Sequence, residues 1–492
     1  MNVNKVLNKS KYESSVGSKT AGEKRLRPLS SAASRQSAGS AIAFCSGLLA
    51  SLVCGYAQSQ TLSDLYQKAR AQDPQFRAAQ NALAAGLEKL PQARSVLMPS
   101  VNLNANKGRQ FGDASFSEAS YVQRDVQSWS WTAQITQPLF RWTNWVGWRQ
   151  AEAQIRQSLM QFAIAEQDLM LRSAQAYADA VLALQSLEVA KGQVKAVEEQ
   201  LVLAERTYAV GTGTVTDIQE SRAKLALAQA QKVTADNDVE IRNAELEKLL
   251  GEPFVLPMML PTEDRTGQKR DEQALSMVDV ESLKVLLTGT PKNLQIQLQE
   301  AALEIARHET AKNYAVHLPT LDLVVSRNGS YNSGTLSSPA DLASLTVSNS
   351  VSLQLSLPIY SGGSAESRVR EASALEDKAR EDLIFAQRNA STQVRQAYAG
   401  VVNGQAQVEA LHTAVITGRN AVESNKIGLK IGTRITPDVL TAEQQLFGSL
   451  RDLYKARIEV AMQLLKLKAA IGQLRPEDLQ LTDLALAQPF AQ

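Results

Sequence analysis

The chain has 492 residues, of which 44% are hydrophobic, 21% are charged and only 5% are aromatic. This composition favours long helices over an all-β sandwich or an α/β domain that binds a cofactor in its core. The formal net charge is +2, and the basic residues do not cluster into the footprint that a nucleic-acid-binding protein requires.

Residues 1–57 predict a cleaved signal peptide. A basic stretch containing Lys24 and Arg25 precedes an apolar run from Ala41 to Cys54, which is followed by the small residue Ala57. The run is too short for a membrane-spanning helix, which needs roughly 20 residues. Cleavage removes eight Lys/Arg, two Asp/Glu and both cysteines, which leaves a thiol-free mature chain of formal charge −4. That chain suits an oxidising envelope compartment.

An internal repeat organises the rest of the chain. The segment "LMPSVNLNAN" at 97–106 returns as "HLPTLDLVVS" at 317–326, and "VGTGTVTDI" at 210–218 returns as "IGTRITPDV" at 431–439. Because these landmarks keep a nearly constant offset of 220 or 221 residues, they indicate a duplicated unit. We predict one copy at 58–251 and a second at 291–473, with a proline-rich connector at 252–290 and a C-terminal tail at 474–492.

Each copy opens with two predicted strands. In the second copy Val351 and Leu353 alternate with Ser350 and Ser352, and the other strands alternate in the same way. The predicted strands are at about 100–107, 128–138, 320–327 and 347–358, and the Gly-, Ser- and Asn-rich segments 107–127 and 327–347 predict exposed loops. One polar and one apolar face are what a transmembrane barrel requires. Four strands cannot close a barrel, since about eight are needed, so they must be shared between subunits or covered by other protein.

A long helical hairpin follows each pair of strands. Residues 141–209 and 361–430 contain no proline, and a helix of that length spans about 100 Å. The return helix carries a heptad seam at Leu446, Leu450 and Leu453, which is typical of coiled-coil packing. The predicted hairpins span 141–250 and 361–472, with tips near 210–217 and 431–438.

Several segments resemble the TolC family of outer-membrane efflux and secretion proteins: "HLPTLDL", "LSLPIYSGG", "GTRITPDVLTAEQQL" and "KAAIGQLRPEDL". The resemblance covers essentially the whole mature chain. It implies a mainly α protein with a β-barrel portion, in which three protomers form a 12-stranded outer-membrane barrel continuous with an α-helical periplasmic barrel. It also implies that the connector and the tail form an equatorial band.

The same resemblance implies partners and a location. The protein is expected to form a homotrimer in the outer membrane, in contact with its lipid, and to extend into the periplasm. Its expected partners are a periplasmic adaptor (a membrane fusion protein) and an inner-membrane pump of the ABC or RND type. No cofactor and no nucleic acid are expected.

The hairpin tips are the candidate functional site. By position, the resemblance implies that Arg434 is a gate residue whose partners are Thr216 and Asp217, and that Asp438 and Thr441 line an entrance selectivity ring. Thr441 departs from the acidic residue of the family, and Leu429 stands at the position of the gate tyrosine. The adaptor-docking positions are Gly211, Thr212, Gly432 and Thr433. Two alternatives stay open: that Arg434 and Asp217 are solvated surface charges, and that Asp438 caps a helix beginning at Val439.

No catalytic or metal site is expected. The three histidines lack the helical spacing and the cysteine companions of a metal site, and no catalytic grouping stands out. The five tryptophans, between Trp129 and Trp148, predict a membrane-interface girdle. The predicted function is passive transport through an exit duct of an efflux or type I secretion system, with the cargo left open. The alternative is a structural coiled-coil envelope protein or adhesin without a channel.

Overall fold

The computed structural model describes residues 61–115, 120–253, 293–336 and 342–480. The predicted signal peptide, nearly all of the connector and residues 481–492 of the tail lie outside these ranges. The main helices and strands, in chain order, are α1 (Leu62–Gln72), α2 (Pro74–Leu87), α3 (Lys89–Ser95), β1 (Ser100–Ala114), β2 (Val122–Phe140), α4 (Trp142–Ala209), α5 (Val215–Leu250), α6 (Leu294–Tyr314), β3 (Thr320–Asn332), β4 (Ser344–Ser356), α7 (Ser364–Lys430) and α8 (Thr436–Ile471). A short 3-10 helix, Ala315–His317, follows α6.

The helices before each pair of strands were not predicted from the sequence. α2 and α3 together cover 74–95, and α6 covers 294–314, so these segments also repeat at an offset of 220. Their starts carry a recognisable signal, because the side chain of Asp73 accepts from the backbone N–H of Phe76 and that of Asn293 accepts from the N–H of Gln295. Asp and Asn are favoured at helix N-caps. The two caps were therefore readable at equivalent positions of the two copies.

The four strands form one antiparallel sheet in the order β1-β2-β3-β4. The predicted strands are all present, but the predicted loops 107–127 and 327–347 are wrong in large part. Strand pairing continues to Ala114 opposite Val122 and to Asn332 opposite Ser344. The reason is that backbone hydrogen bonds between two paired strands do not depend on the side chains, so the pairing can continue beyond the alternating apolar stretch.

The two hairpins are nearly equal in length. α4 and α7 have 68 and 67 residues, and α5 and α8 have 36 residues each. α7 begins at Ser364, three residues later than predicted, because Gly362 and Gly363 take left-handed conformations with φ of +66° and +79°. Both return helices end at a left-handed glycine, Gly251 or Gly472, where a residue with a Cβ is strained.

The largest hydrophobic core lies where α1 meets the two hairpins at their roots. Leu65 and Tyr66 of α1, Leu246 of α5 and Leu465 of α8 are all fully or almost fully buried there. Ion pairs join the rim of this core: Arg172 of α4 lies 3.0 Å from Asp73, and Arg70 lies 3.0 Å from Glu166. The core therefore fixes the hairpins far from their tips. Within the described residues, no helix is both long and apolar enough to cross a membrane.

Candidate functional site: the hairpin tips and the sheet

The tip of the first hairpin is closed by a glycine turn and a capping box. Gly211 has φ +77°, and the Thr207 carbonyl oxygen accepts from the N–H groups of Thr212 and Gly213, both at 3.0 Å. At the start of α5 the Asp217 N–H donates to Thr214 Oγ1 at 3.2 Å, and the Thr214 hydroxyl donates to Asp217 Oδ2 at 2.8 Å. The Asp217 carboxylate is thus engaged by its own helix start.

The second tip has the same turn but a weaker cap. Gly432 has φ +77°, and the Gly428 carbonyl oxygen accepts from the Thr433 N–H at 2.9 Å. Ile435 stands where the first tip has Thr214, and it has no side-chain oxygen. The Asp438 carboxylate accepts a longer bond, 3.5 Å, from the Ile435 N–H and lies 3.6 Å from Arg434 Nη1.

A buried glycine positions the Arg434 side chain. A Cβ added at Gly428 would lie 2.7 Å from Arg434 Cγ and 3.2 Å from Arg434 Cβ. Real Cβ atoms do not approach that closely, so only glycine at 428 leaves room for the arginine stem to lie across the last turn of α7. No pattern in the sequence indicates this contact.

The predicted site residues are therefore placed as follows. Arg434 and Asp438 are brought together within one tip, whereas Asp217 is paired with Thr214, and Thr216 and Thr441 are exposed. The pairing of Arg434 with Asp217 or Thr216 stays a prediction. The interpretation of Asp438 as the cap of a helix beginning at Val439 is wrong in its position, because α8 begins at Thr436 and Asp438 is its third residue. The docking residues Gly211, Thr212, Gly432 and Thr433 are all exposed.

A buried charge lies near the second tip and was missed. The Glu443 side chain of α8 is only 4% exposed, and its Oε1 lies 2.7 Å from Lys426 Nζ of α7. The ion pair falls outside hydrogen-bond geometry, and no described group hydrogen-bonds to either carboxylate oxygen. A signal existed in the sequence, because Glu443 precedes Leu446 and Leu450 at heptad spacing, in a seam where an apolar residue is expected.

A second missed pair lies where the sheet meets the helices. Arg141, between β2 and α4, donates from Nε to Asp322 Oδ1 at 2.9 Å and from Nη2 to Asp322 Oδ2 at 2.5 Å. Asp322 belongs to β3 and its side chain is 9% exposed. This bidentate pair joins the first copy of the repeat to the second at the base of the sheet.

The sheet has one polar and one apolar face. In the register of β1 and β2, Asn104 faces Thr132 on one side, and Leu103 faces Ala133 on the other. β3 and β4 continue the pattern with Ser326 opposite Ser350. The apolar face is uncovered in the single chain, since its residues include the exposed side chains Val101, Leu103, Val325, Leu345, Val347, Val351, Leu353 and Leu355. In addition, β1 and β4 each keep one edge without a partner strand in this sheet.

Among the described residues, no group of three or more His, Cys, Asp or Glu side chains could hold a metal ion. The arrangement offers long helical walls, two polar tips and a two-faced sheet. These are features of a conduit.

Comparisons with known proteins agree with that description. The family model for outer membrane efflux proteins matches residues 65–252 and 291–473. The chain is 30% identical over 427 residues to the alkaline protease secretion protein AprF of Pseudomonas aeruginosa, covering 85% of this chain and 86% of that protein. It is 28% identical over 453 residues to the outer membrane protein TolC of Escherichia coli, covering 90% and 89%.

Solved structures show the same fold at lower identity. The outer membrane protein VceC of Vibrio cholerae superposes with a TM-score of 0.68 at 17% identity, covering 84% of this chain and 96% of that chain. The fold and the two-faced sheet define an outer-membrane channel protein of the TolC type. The chain belongs to the outer membrane efflux protein family, and it is an outer-membrane protein that extends into the periplasm.

Proposed function

We propose that three copies of this chain pool their sheets into a 12-stranded barrel and their hairpins into a helical tube, which together form an exit duct across the periplasm and the outer membrane. The observation that carries the proposal is the four-stranded sheet with two faces and two open edges. Lipid accepts an apolar face but no unpaired backbone, so the edges must pair with those of other copies. Helices of 68 and 67 residues reach about 100 Å.

The duct receives cargo from an inner-membrane pump through a periplasmic adaptor that engages the tips. The names of two relatives, the protease secretion proteins AprF and PrtF, favour a secreted polypeptide as cargo. A wide duct does not select its cargo, so that choice belongs to the pump. The proposed adaptor contacts are the exposed glycine turns at Gly211 and Gly432 with the adjoining threonines.

Planar-bilayer recording of the purified protein tests the duct. We expect discrete ion-conducting channels from a particle that light scattering identifies as a trimer. Three Asp438 carboxylates around one axis attract cations, so Asp438→Asn is expected to lower the cation preference in reversal-potential measurements. A monodisperse monomer with an intact β signal and no conductance would instead support a structural coiled-coil protein. If Asp438→Asn leaves the selectivity unchanged, Asp438 only stabilises the start of α8 and has no role in ion selectivity.

We also propose that Arg434 holds the resting entrance closed by pairing with Asp217 or Thr216 on the adjacent hairpin. The second tip offers the cation, Arg434, and the first tip offers the acceptor. The first tip has no cation of its own at this position, because the residue equivalent to Arg434 in the first copy of the repeat is Gly213. An exposed pair of this kind contributes on the order of 1 kcal/mol. Arg434→Ala and Asp217→Ala are each expected to raise channel conductance, and the double substitution is expected to add little to either one.

Two glycine variants test whether the position of the Arg434 side chain matters in addition to its charge. Gly428→Ala is expected to raise conductance as Arg434→Ala does, because the new Cβ displaces the Arg434 stem while leaving its charge. Gly448→Ala in α8 is the matched control, since a Cβ there meets no atom within 4 Å. If Asp217→Ala leaves conductance unchanged while Asp438→Asn reproduces Arg434→Ala, the arginine acts through its own tip and the gate pair must be abandoned.

A further inference from the structure

Two cations lie on the apolar face of the sheet. Lys107 of β1 pairs in register with Trp129, and Arg327 of β3 lies between Ala133 and Asn349. By strand alternation both share the face of Leu103 and of the other apolar residues, rather than the polar face. Both side chains are exposed. They are therefore charged groups on the surface that the proposed barrel turns toward lipid.

Neither cation has a carboxylate partner within the described part of the chain. Arg109, two residues beyond Lys107 on the same face, differs in this respect, because its Nη2 lies 2.5 Å from Asp125 Oδ2. A cation that faces lipid must reach an anion or water, and long Lys and Arg side chains do so by extending toward the headgroups. Lys107 and Arg327 thus each need a partner from outside the described chain.

Three aromatic side chains, those of Trp129, Trp131 and Tyr331, lie on the same face of the sheet as the two cations. Trp129 stacks on Tyr331 with ring centroids 6.1 Å apart and an interplanar angle of 19°. Trp131 lies across Gly329, where a Cβ would meet its Nε1 at 2.3 Å. Trp and Tyr rings on a barrel surface mark the level of the lipid headgroups. The cations are therefore placed where phosphate groups are the available anions.

The position of the two cations along their strands indicates which leaflet of the membrane supplies the phosphate groups. Counted from the helices, Lys107 comes after three apolar residues of its strand and face, and Arg327 does as well. These residues are Val101, Leu103 and Ala105 in β1, and Leu321, Leu323 and Val325 in β3. Because the helices extend into the periplasm, residues farther along β1 toward Ala114 and along β3 toward Asn332 lie nearer the outer leaflet.

We propose that Lys107 and Arg327 bind the phosphate groups of the phosphorylated glycolipid of the outer leaflet, lipopolysaccharide, with Trp129, Trp131 and Tyr331 packing beside its sugar headgroup. The inference rests on the proposed barrel, which decides that this face meets lipid. Charge-assisted contacts to phosphate fix the lipid at the barrel surface. The chemistry is electrostatic, so binding weakens as the salt concentration rises.

Native mass spectrometry of the detergent-solubilised trimer, titrated with bisphosphorylated lipid A, tests the site. Lys107→Gln and Arg327→Gln are each expected to raise the apparent Kd roughly fivefold, the usual effect of one cation at an anionic membrane surface. Lipid A from which the phosphates have been removed is expected to bind the wild type and the two variants equally weakly. Arg124→Gln is the control, because Arg124 lies on the opposite, polar face and donates to the Thr335 carbonyl oxygen.

Each variant is first shown to conduct in planar bilayers like the wild type, so that a failed channel is distinguished from a failed lipid site. The proposal is overturned if both variants bind lipid A like the wild type, or if Arg124→Gln weakens binding equally. Equal affinity of the wild type for phosphatidylglycerol vesicles and for lipid A would overturn the assignment to the outer-leaflet glycolipid.

Discussion

Asp322→Ala is expected to destabilise the protein by about 2 kcal/mol, because it removes the acceptor of a bidentate, partly buried ion pair and leaves the Arg141 guanidinium without its partner. The Asp322 side chain is 9% exposed and that of Arg141 is 41% exposed, so the arginine can recover some hydration and the loss stays below that of a fully buried charge. The measurement is the temperature at which the trimer dissociates and its circular dichroism signal is lost.

Asp125→Ala is the matched control for this prediction. It also removes an aspartate that pairs bidentately with an arginine, Arg109, but both side chains are well exposed, so no measurable change in stability is expected. If the Asp322→Ala protein melts at the same temperature as the Asp125→Ala protein, the pair of Arg141 and Asp322 contributes nothing to stability.

The internal repeat sharpens the expectation for Asp322. At the offset of 220, Arg141 corresponds to Ser361 and Asp322 corresponds to Asn102. The junction from the first copy to the second therefore has an ion pair, whereas the equivalent junction of the proposed barrel, between β4 of one protomer and β1 of the next, would have the two neutral residues Ser361 and Asn102. Loss of Asp322 is expected to reduce folding within the protomer. A variant whose monomers fold normally and fail only in assembly would contradict this assignment.

Lys426→Met is expected to cost about 3 kcal/mol, because it leaves the Glu443 carboxylate buried without a counter-ion. Glu443 is 4% exposed and lies 2.7 Å from Lys426, so the pair joins α7 to α8 within the second hairpin. Glu443 also lines a cavity of about 30 Å³ between the two hairpins, together with Val197, Leu227 and Leu440. Thermal loss of the helical circular dichroism signal measures the effect.

The double variant Lys426→Met/Glu443→Leu is expected to recover most of that loss, since an apolar pair suits the seam and leaves no buried charge. Lys378→Met serves as the control, because the Lys378–Asp382 pair spans 3.0 Å with side chains 70% and 49% exposed. If Lys426→Met lowers the melting temperature no more than Lys378→Met does, the Glu443 carboxylate is hydrated in the folded protein and does not need Lys426 as a counter-ion.

The sequence by itself determined the architecture of the repeat. The matching prolines and glycines, the alternation of Leu353 with Ser352 and the proline-free stretches predicted strands, long helices and tips in the right order. These are local signals, since a strand has a period of 2 residues and a helix one of 3.6. The turn glycines Gly211 and Gly432 are local as well, because a left-handed residue at a tight turn favours glycine whatever surrounds it.

The tertiary structure alone decided which distant residues meet. Arg141 and Asp322 are 181 residues apart in the chain, and no periodicity brings an arginine after one strand to an aspartate in another copy of the repeat. The full length of the strands was likewise hidden, because pairing beyond the alternating stretch depends on the neighbouring strand. The placement of Lys107 beside Trp129 and of Arg327 beside Ala133, and of the Arg434 stem over Gly428, required the register and the packing, which arise only when all segments are folded together.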